Sequence, residues 1–433
     1  MDKIIMHVDV NSAFLSWSAA DRILNHNELV DLRDICSVVG GDQESRHGIV
    51  LAKSIPAKKC KIQTGEPLVS ARQKCPELVV VPPDYRLYVE ASEAFVKLLQ
   101  RYCPKIEQYS IDEVWVDVTG TTSLYGSPVL FAEFLNRKIA SELGFTVNIG
   151  VSCNKLLAKM GSELKKPNMV HTLFPGEIEE KMWPLPVREL FFVGRATEKK
   201  LLALGIKTIG DIAKTDIEIL KLHLKKHGEV IHSFACGNGE YLDNLIVTQQ
   251  SENKGYGNSM TLPFDFNDDM HIDQAILSLS ETLGQRLRKD NVKIKCISIS
   301  ITNSDFNRVG HQCQLYSETD ITEEIYLAAR RIFHEIWDKS PVRQLGVHTS
   351  KVAKGSTRQY NLFDLDRFDK QEKLNGAIDQ IREKYGKNSI MRACFVQHNS
   401  LKHMSGGISD EKLTGITKPL SIAQVHGNAH SCF

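Results

Sequence analysis

The chain has 433 residues, 42% hydrophobic and 25% charged, which is the composition of folded globular domains and more chain than one compact core accommodates. No apolar run approaches the roughly 18 residues of a membrane-spanning helix. Lys and Arg number 54 against 53 Asp and Glu, and a net charge of +1 by itself argues against a polyanionic partner.

Ile4 to Val8 reads as a short apolar strand that ends at Asp9. Ile35 to Val39 and Ile49 to Ala52 flank the polar loop Gly41 to His47 like two strands of one hairpin. Tyr85 to Tyr102 carries Leu87, Ala91, Phe95, Leu98 and Leu99 at helical spacing and stops before Pro104. Val114 to Val118 alternates as a strand, Phe131 to Leu143 is a helix closed by Gly144, and Phe145 to Val151 is a strand again. Mixed α/β structure is therefore expected to Pro167. Beyond it, Val187 to Leu190, the turn Phe191 to Arg195 and the helix Thr197 to Leu204 with Gly205 resemble a helix-hairpin-helix. Its glycine turn would present backbone N–H groups to a phosphate regardless of sequence, although any helix pair needs a tight turn. Residues 251–350 form a separate region, with strands near Tyr256 to Leu262, Lys293 to Thr302, Gly310 to Leu315 and Gln344 to Val352. Helices Asp273 to Arg288 and Ile321 to Trp337 lie between them. From about Gln397 the chain turns polar and rich in Gly, Ser and His, the composition of a disordered tail.

The start Met1-Asp2-Lys3-Ile4-Ile5 lacks the order of a secretory leader, so a cytoplasmic protein is expected. The ten cysteines show no CxxC pair and no His partner at zinc-ligand spacing. They read as small buried apolar residues with reduced thiols.

Chemistry begins at the end of the first strand. Asp9 there, and Asp112-Glu113 immediately before the strand Val114 to Val118, put carboxylates at strand ends. Adjacent carboxylates repel unless cations neutralise them, and hard oxygen ligands of this kind suit Mg²⁺. Taken singly, each acid could equally end a strand in solvent. Lys155 and Lys159 stand at i and i+4, with Lys165 and Lys166 beyond them. A second basic cluster, Arg286, Arg288, Lys289, Lys293 and Lys295, is opposed only by Asp290. A solvated face explains either stripe as readily as a polyanion does.

Asp9-Val10-Asn11-Ser12-Ala13-Phe14, Tyr109-Ser110-Ile111-Asp112-Glu113 and the run Gly150 to Lys159 resemble, in order and spacing, the motifs of Y-family translesion DNA polymerases, closest to the bacterial DinB/UmuC-like branch. The resemblance spans roughly residues 1 to 396. It implies an α+β multidomain, right-hand polymerase: a palm over 1–169 with small fingers inserted at about 15–82, a helix-hairpin-helix thumb over 170–240 and an α/β little finger over 250–355. A clamp-binding peptide and extension would occupy 356–396, with a disordered tail over 397–433.

Carried over position by position, Asp9, Asp112 and Glu113 would be catalytic and, with the Val10 carbonyl, would hold two Mg²⁺ ions, Mn²⁺ being a substitute. Phe14 would be the steric gate against a ribose 2′-hydroxyl, where a core aromatic is the alternative. Ala13 stands where relatives often have a second aromatic. Lys58 and Lys166 would bind the triphosphate; Ile55 and Lys58 replace the usual Tyr and Arg, losing a hydroxyl and the bidentate guanidinium fork. Gly194, Arg195, Arg286, Arg288 and Lys293 would contact DNA. Gln359, Leu362 and Phe363 match the QxxLF peptide that docks on a sliding clamp. The implied activity is error-prone synthesis on primer-template DNA from dNTPs by a monomer, without proofreading. A helix-hairpin-helix nuclease or glycosylase using the same acids, and a non-catalytic DNA-binding adaptor, are the competing readings.

Overall fold

A computed structural model describes residues 3–41, 48–240, 242, 253–354, 365–386 and 389–396. The loop 42–47, the peptide residues Gln359, Leu362 and Phe363, and the tail from 397 lie outside the described residues. Those described fall into two compact units, 3–242 and 253–396. Among them no helix is long and apolar enough to cross a membrane.

In chain order the first unit contains β1 (Ile5–Val10), α1 (Ala13–His26), β2 (Ser37–Gly40), β3 (Val50–Lys53), α2 (Ile55–Lys59), α3 (Leu68–Lys74), β4 (Val79–Val81), α4 (Tyr85–Gln100), β5 (Lys105–Gln108), β6 (Glu113–Asp117), α5 (Pro128–Leu143), β7 (Val147–Ser152), α6 (Lys155–Glu163) and β8 (Val170–Thr172). Five strands form one sheet in the order β5-β6-β1-β7-β8. Every residue of β1 is buried, as a central strand covered on both faces requires. Met6, Val8 and Val10 join the core that holds Trp17, Tyr88, Phe95 and Phe131. The alternate residues, His7 and Asp9, therefore point to the other face, with α6 against them. A smaller sheet, β3-β2-β4, has its own core of Val38, Val50, Ala57, Ile62, Leu68, Ala71 and Leu78.

Short helices follow: α7 (Ile178–Lys181), α8 (Arg195–Ala203), α9 (Ile209–Lys214), α10 (Ile217–Leu224) and α11 (Lys226–Ala235). The expected hairpin differs at its first helix. Val187 to Leu190 makes only a single 3₁₀ turn over Val187–Glu189, because Pro186 in extended backbone precedes it and Leu190 is extended.

The second unit has β9 (Gly255–Phe266), α12 (Asp269–Lys289), β10 (Val292–Asn303), β11 (Arg308–Thr319), α13 (Thr322–Ile336), β12 (Val342–Lys354), α14 (Leu365–Tyr385) and α15 (Ala393–Val396). Its sheet runs β11-β10-β12-β9, antiparallel throughout, with α12 and α13 contributing Ile276, Leu279, Leu283, Ile332 and Phe333 to one core. The 21-residue helix α14 has no counterpart in the sequence reading. It carries little apolar periodicity and is held by ions instead: Arg382 is buried against Glu281 of α12 at 3.1 Å, and Asp379 pairs with Arg288 of α12 at 2.6 Å.

Candidate active site

β1 pairs antiparallel with β6 so that Asp9 stands directly opposite Glu113, and with β7 so that Asp9 faces Asn148 on its other side. Two acids 104 positions apart in sequence thus become neighbours across one ladder. The backbone N–H of Val10 donates to the Asp112 carbonyl at 3.0 Å, tying the end of β1 to the acidic loop. Oxygens of Asp9, Glu113 and Glu163 lie within 4.8 Å of one another. Asp112 is not in that trio. Its carboxylate accepts a hydrogen bond from Ser110 Oγ at 2.6 Å.

α6 completes the site. Asn154 caps it, its side chain accepting from the Leu157 N–H at 2.8 Å. A side chain at Gly150 of β7 would meet the Ala158 carbonyl at 1.9 Å, so glycine is what lets the helix lie directly on the strand. That approach drives lysines into the carboxylates. Lys159, 7% exposed, donates to Glu113 at 2.8 Å. Lys166 bridges Asp9 at 2.9 Å and Glu163 at 3.0 Å, and Lys155 reaches Glu107 at 2.6 Å. Of the stripe that could have been a solvated face, Lys159 is a buried counter-ion and Lys155 and Lys166 are partly exposed ones, while Lys165 is exposed. His7, fully buried, is held by Ser162 at 2.8 Å, with its other nitrogen 3.8 Å from Glu113.

Burial pushes the Asp9 carboxyl up to about 7, against the pull of Lys166. Burial likewise raises Asp112, opposed by its Ser110 hydrogen bond. Glu113 goes the other way: burial opposes its ionisation, yet His7 and the Lys159 ammonium hold it well below the carboxylate range. Desolvation lowers His7 to about 4, so the ring is neutral at physiological pH. Burial disfavours the charged form of Lys166, but Asp9 and Glu163 outweigh it and raise the pKa. One oxygen cluster therefore contains a carboxylate that resists ionising and another that is firmly ionised, with ammonium groups supplying positive charge. Hard oxygen donors around a cationic centre fit Mg²⁺.

Phe14 lies beside this end of β1, stacked on Tyr88 at 4.5 Å and edge-on to Tyr85 at 6.3 Å. It is half-buried, so part of one aromatic ring stays accessible. Lys58 is exposed on α2 and pairs with no carboxylate among the described residues. Gly194 caps α8, with Arg195 exposed after it. In the second unit Arg286 donates to the Gly257 carbonyl at 3.0 Å and lies 5.5 Å from the Tyr256 ring centre. Arg288 grips Asp379 of α14 through two nitrogens, at 2.6 and 3.2 Å, and donates to the Asp320 carbonyl at 2.7 Å. Lys293 pairs with Glu372 at 3.4 Å. His7, Glu163 and the pairing of Lys159 escaped sequence reasoning. His7, two residues before Asp9 and so on the same strand face, was the signal available.

The impB/mucB/samB family matches residues 8–163, its C-terminal domain matches 253–362, and its helix-hairpin-helix motif matches 175–206. DNA polymerase IV of Clostridium acetobutylicum is 47% identical over 398 residues, covering 92% of this chain and 99% of that one. The chain belongs to the Y family of DNA polymerases, in its DinB-like branch. DNA polymerase IV 2 of Bacillus subtilis is 33% identical to this Y-family chain over 399 residues, covering 90% and 94% of the two. A solved Y-family chimera (Dbh-Dpo4-Dbh) has the same fold, with a TM-score of 0.67 at 22% identity, covering 81% of this chain and all of that one. The protein is thus a metal-dependent, DNA-directed DNA polymerase whose substrates are primer-template DNA and dNTPs, with the expected α+β multidomain fold.

Proposed function

We propose that this polymerase performs low-fidelity translesion synthesis by nucleotidyl transfer at the Asp9–Glu113 end of the palm sheet, with two Mg²⁺ ions held by Asp9, Asp112, Glu113 and the Val10 carbonyl. The observation that carries the proposal is the ladder pairing of Asp9 with Glu113 beneath two lysine ammonium groups. When bound, the ions would activate the primer 3′-hydroxyl and stabilise the departing pyrophosphate. The chain's own residues do the rest. Lys166, which pairs with Asp9 in this structure, would offer its charge to the triphosphate, as would Lys58 from α2. Asp112, whose carboxylate accepts a hydrogen bond from Ser110, would join the ligand set. Phe14, braced by Tyr88, lies against the sugar and excludes a 2′-hydroxyl. Neutral His7 fixes α6 through Ser162.

DNA is held without regard to sequence. A side chain built at Gly194 would meet nothing, so packing does not demand glycine there, whereas a phosphate approaching the start of α8 does. Arg195 adds charge beside it. Arg286 and Lys293 are proposed to follow the template backbone, which for Lys293 requires exchange with Glu372, whereas Arg288, expected to do the same, already has its guanidinium filled by Asp379 and the Asp320 carbonyl. Gln359, Leu362 and Phe363 would dock on the sliding clamp, supplying processivity to a monomeric cytoplasmic enzyme that lacks proofreading.

Primer extension with Mg²⁺ on intact and abasic templates tests this reading. Extension across both, with mismatched primer ends left uncut, is expected. Cleavage of DNA without dNTPs would instead support the nuclease.

A further inference from the structure

Three of the ten cysteines, far apart in sequence, meet in the small three-stranded domain. Cys36 immediately precedes β2, Cys60 follows α2 as its C-cap and Cys75 follows α3 as its C-cap. Their sulfurs lie within 4.8 Å of one another, Cys36 to Cys75 at 2.8 Å and Cys36 to Cys60 at 3.9 Å. Cys75 is 2% exposed, while Cys36 and Cys60 are partly accessible. Burial and the mutual approach of the thiols favour the neutral form at Cys36.

We propose that Cys36, Cys60 and Cys75 form a three-thiolate site for one thiophilic cation such as Zn²⁺ or Cd²⁺, distinct from the carboxylate site of the palm. Geometry favours a metal over simple apolar packing. Three sulfurs bound to one ion at about 2.3 Å stand roughly 3.8 to 4.0 Å apart. The Cys36–Cys60 distance already has that value, and the Cys36–Cys75 pair reaches it by opening about 1 Å. A disulfide would use two sulfurs and give the third no role. No His or carboxylate belongs to the trio, and an all-sulfur donor set selects soft cations over Mg²⁺. Solvent can reach the accessible side and complete a fourth position with water. Uptake of a divalent ion exchanges three S–H protons for three metal–sulfur bonds, the protons passing to solvent with no change in oxidation state. The resulting single negative charge would stand beside Lys59 and Lys61, which adjoin Cys60 in sequence, Lys74 being already paired with Glu66. Such an ion would clip the ends of α2 and α3 to the start of β2, reinforcing a domain whose own core is small.

The test titrates Cd²⁺ into the reduced, demetallated full chain and follows the ultraviolet thiolate-to-metal charge-transfer band, which carboxylates do not give. Saturation at one ion per chain is expected, with Cys36, Cys60 and Cys75 protected from alkylation. Cys60→Ser, at a partly exposed position, should weaken uptake about 100-fold or more while primer extension is retained, and Cys236→Ser should leave uptake unchanged. No charge-transfer band in the reduced protein, a band undiminished in Cys60→Ser, or protection falling on other cysteines would overturn the proposal. So would recovery of a Cys36–Cys75 disulfide from a chain that takes up no metal once reduced.

Discussion

Two clusters of charge, one in each unit, are both neutralised from within the chain, but by different means. At the palm site the lysines compensate acids that remain poorly matched: Asp9 is pushed toward neutrality by burial, although Lys166 lies 2.9 Å away. Lys166 also divides itself between Asp9 and Glu163 and keeps about a third of its side chain exposed. In the second unit Arg288 has its guanidinium filled by Asp379 and the Asp320 carbonyl, with 17% of its side chain exposed. The first arrangement is a set of counter-ions, one of them shared between two acids and partly exposed. The second is a structural clasp holding α14. A charge counted in the sequence is therefore not a charge available to a ligand, and the difference lies in how completely its hydrogen bonds are already made.

Substitutions can break or sharpen this contrast. The largest effect is expected from Asp9→Ala or Glu113→Ala, which should lower the rate of primer extension about a thousandfold or more with DNA binding largely kept; steady-state and single-turnover rates measure it. Gly150→Ala should destabilise the first unit by about 3 kcal/mol or more, read from chemical denaturation, because its new carbon would fall on the backbone of α6. Arg288→Ala should cost about 1.5 to 3 kcal/mol of second-unit stability while changing the salt dependence of DNA binding little. A lost phosphate contact without lost stability would show that the clasp is instead a DNA site. With Asp9 raised to about 7, Mg²⁺ must displace a proton below that pH. The Mg²⁺ midpoint for extension should therefore fall up to tenfold per pH unit as pH rises toward about 7, then flatten. A pH-independent midpoint would sever the link. The smallest effect is expected for Gly194→Ala: DNA binding weakened about 3- to 10-fold at unchanged stability, since only a ligand crowds that position.

Much of this was legible in the sequence, for identifiable reasons. Long periodic elements such as α4, α5, α12 and α13 declared themselves, because each buries a continuous stripe. Asp9, Asp112, Glu113 and Phe14 stood out through motif spacing. The three- and four-residue strands β4, β5 and β8 were missed, being too short to show a period. Helix α14 was missed because salt bridges rather than an apolar stripe fasten it. Glu163, Lys159 and the cysteine trio were invisible as sites, since their neighbours come from distant segments that only the fold joins. Net charge misled most: +1 averages over lysines that face carboxylates and arginines that face α14.

Counting metal in the assembled complex bears most directly on the palm site. Mn²⁺ uptake, followed by paramagnetic resonance with primer-template ending in a chain terminator and the next dNTP present, should reach two ions per complex. In Asp9→Ala at least one of them should be lost. Undiminished uptake by Asp9→Ala would contradict the assignment of these carboxylates as the metal ligands.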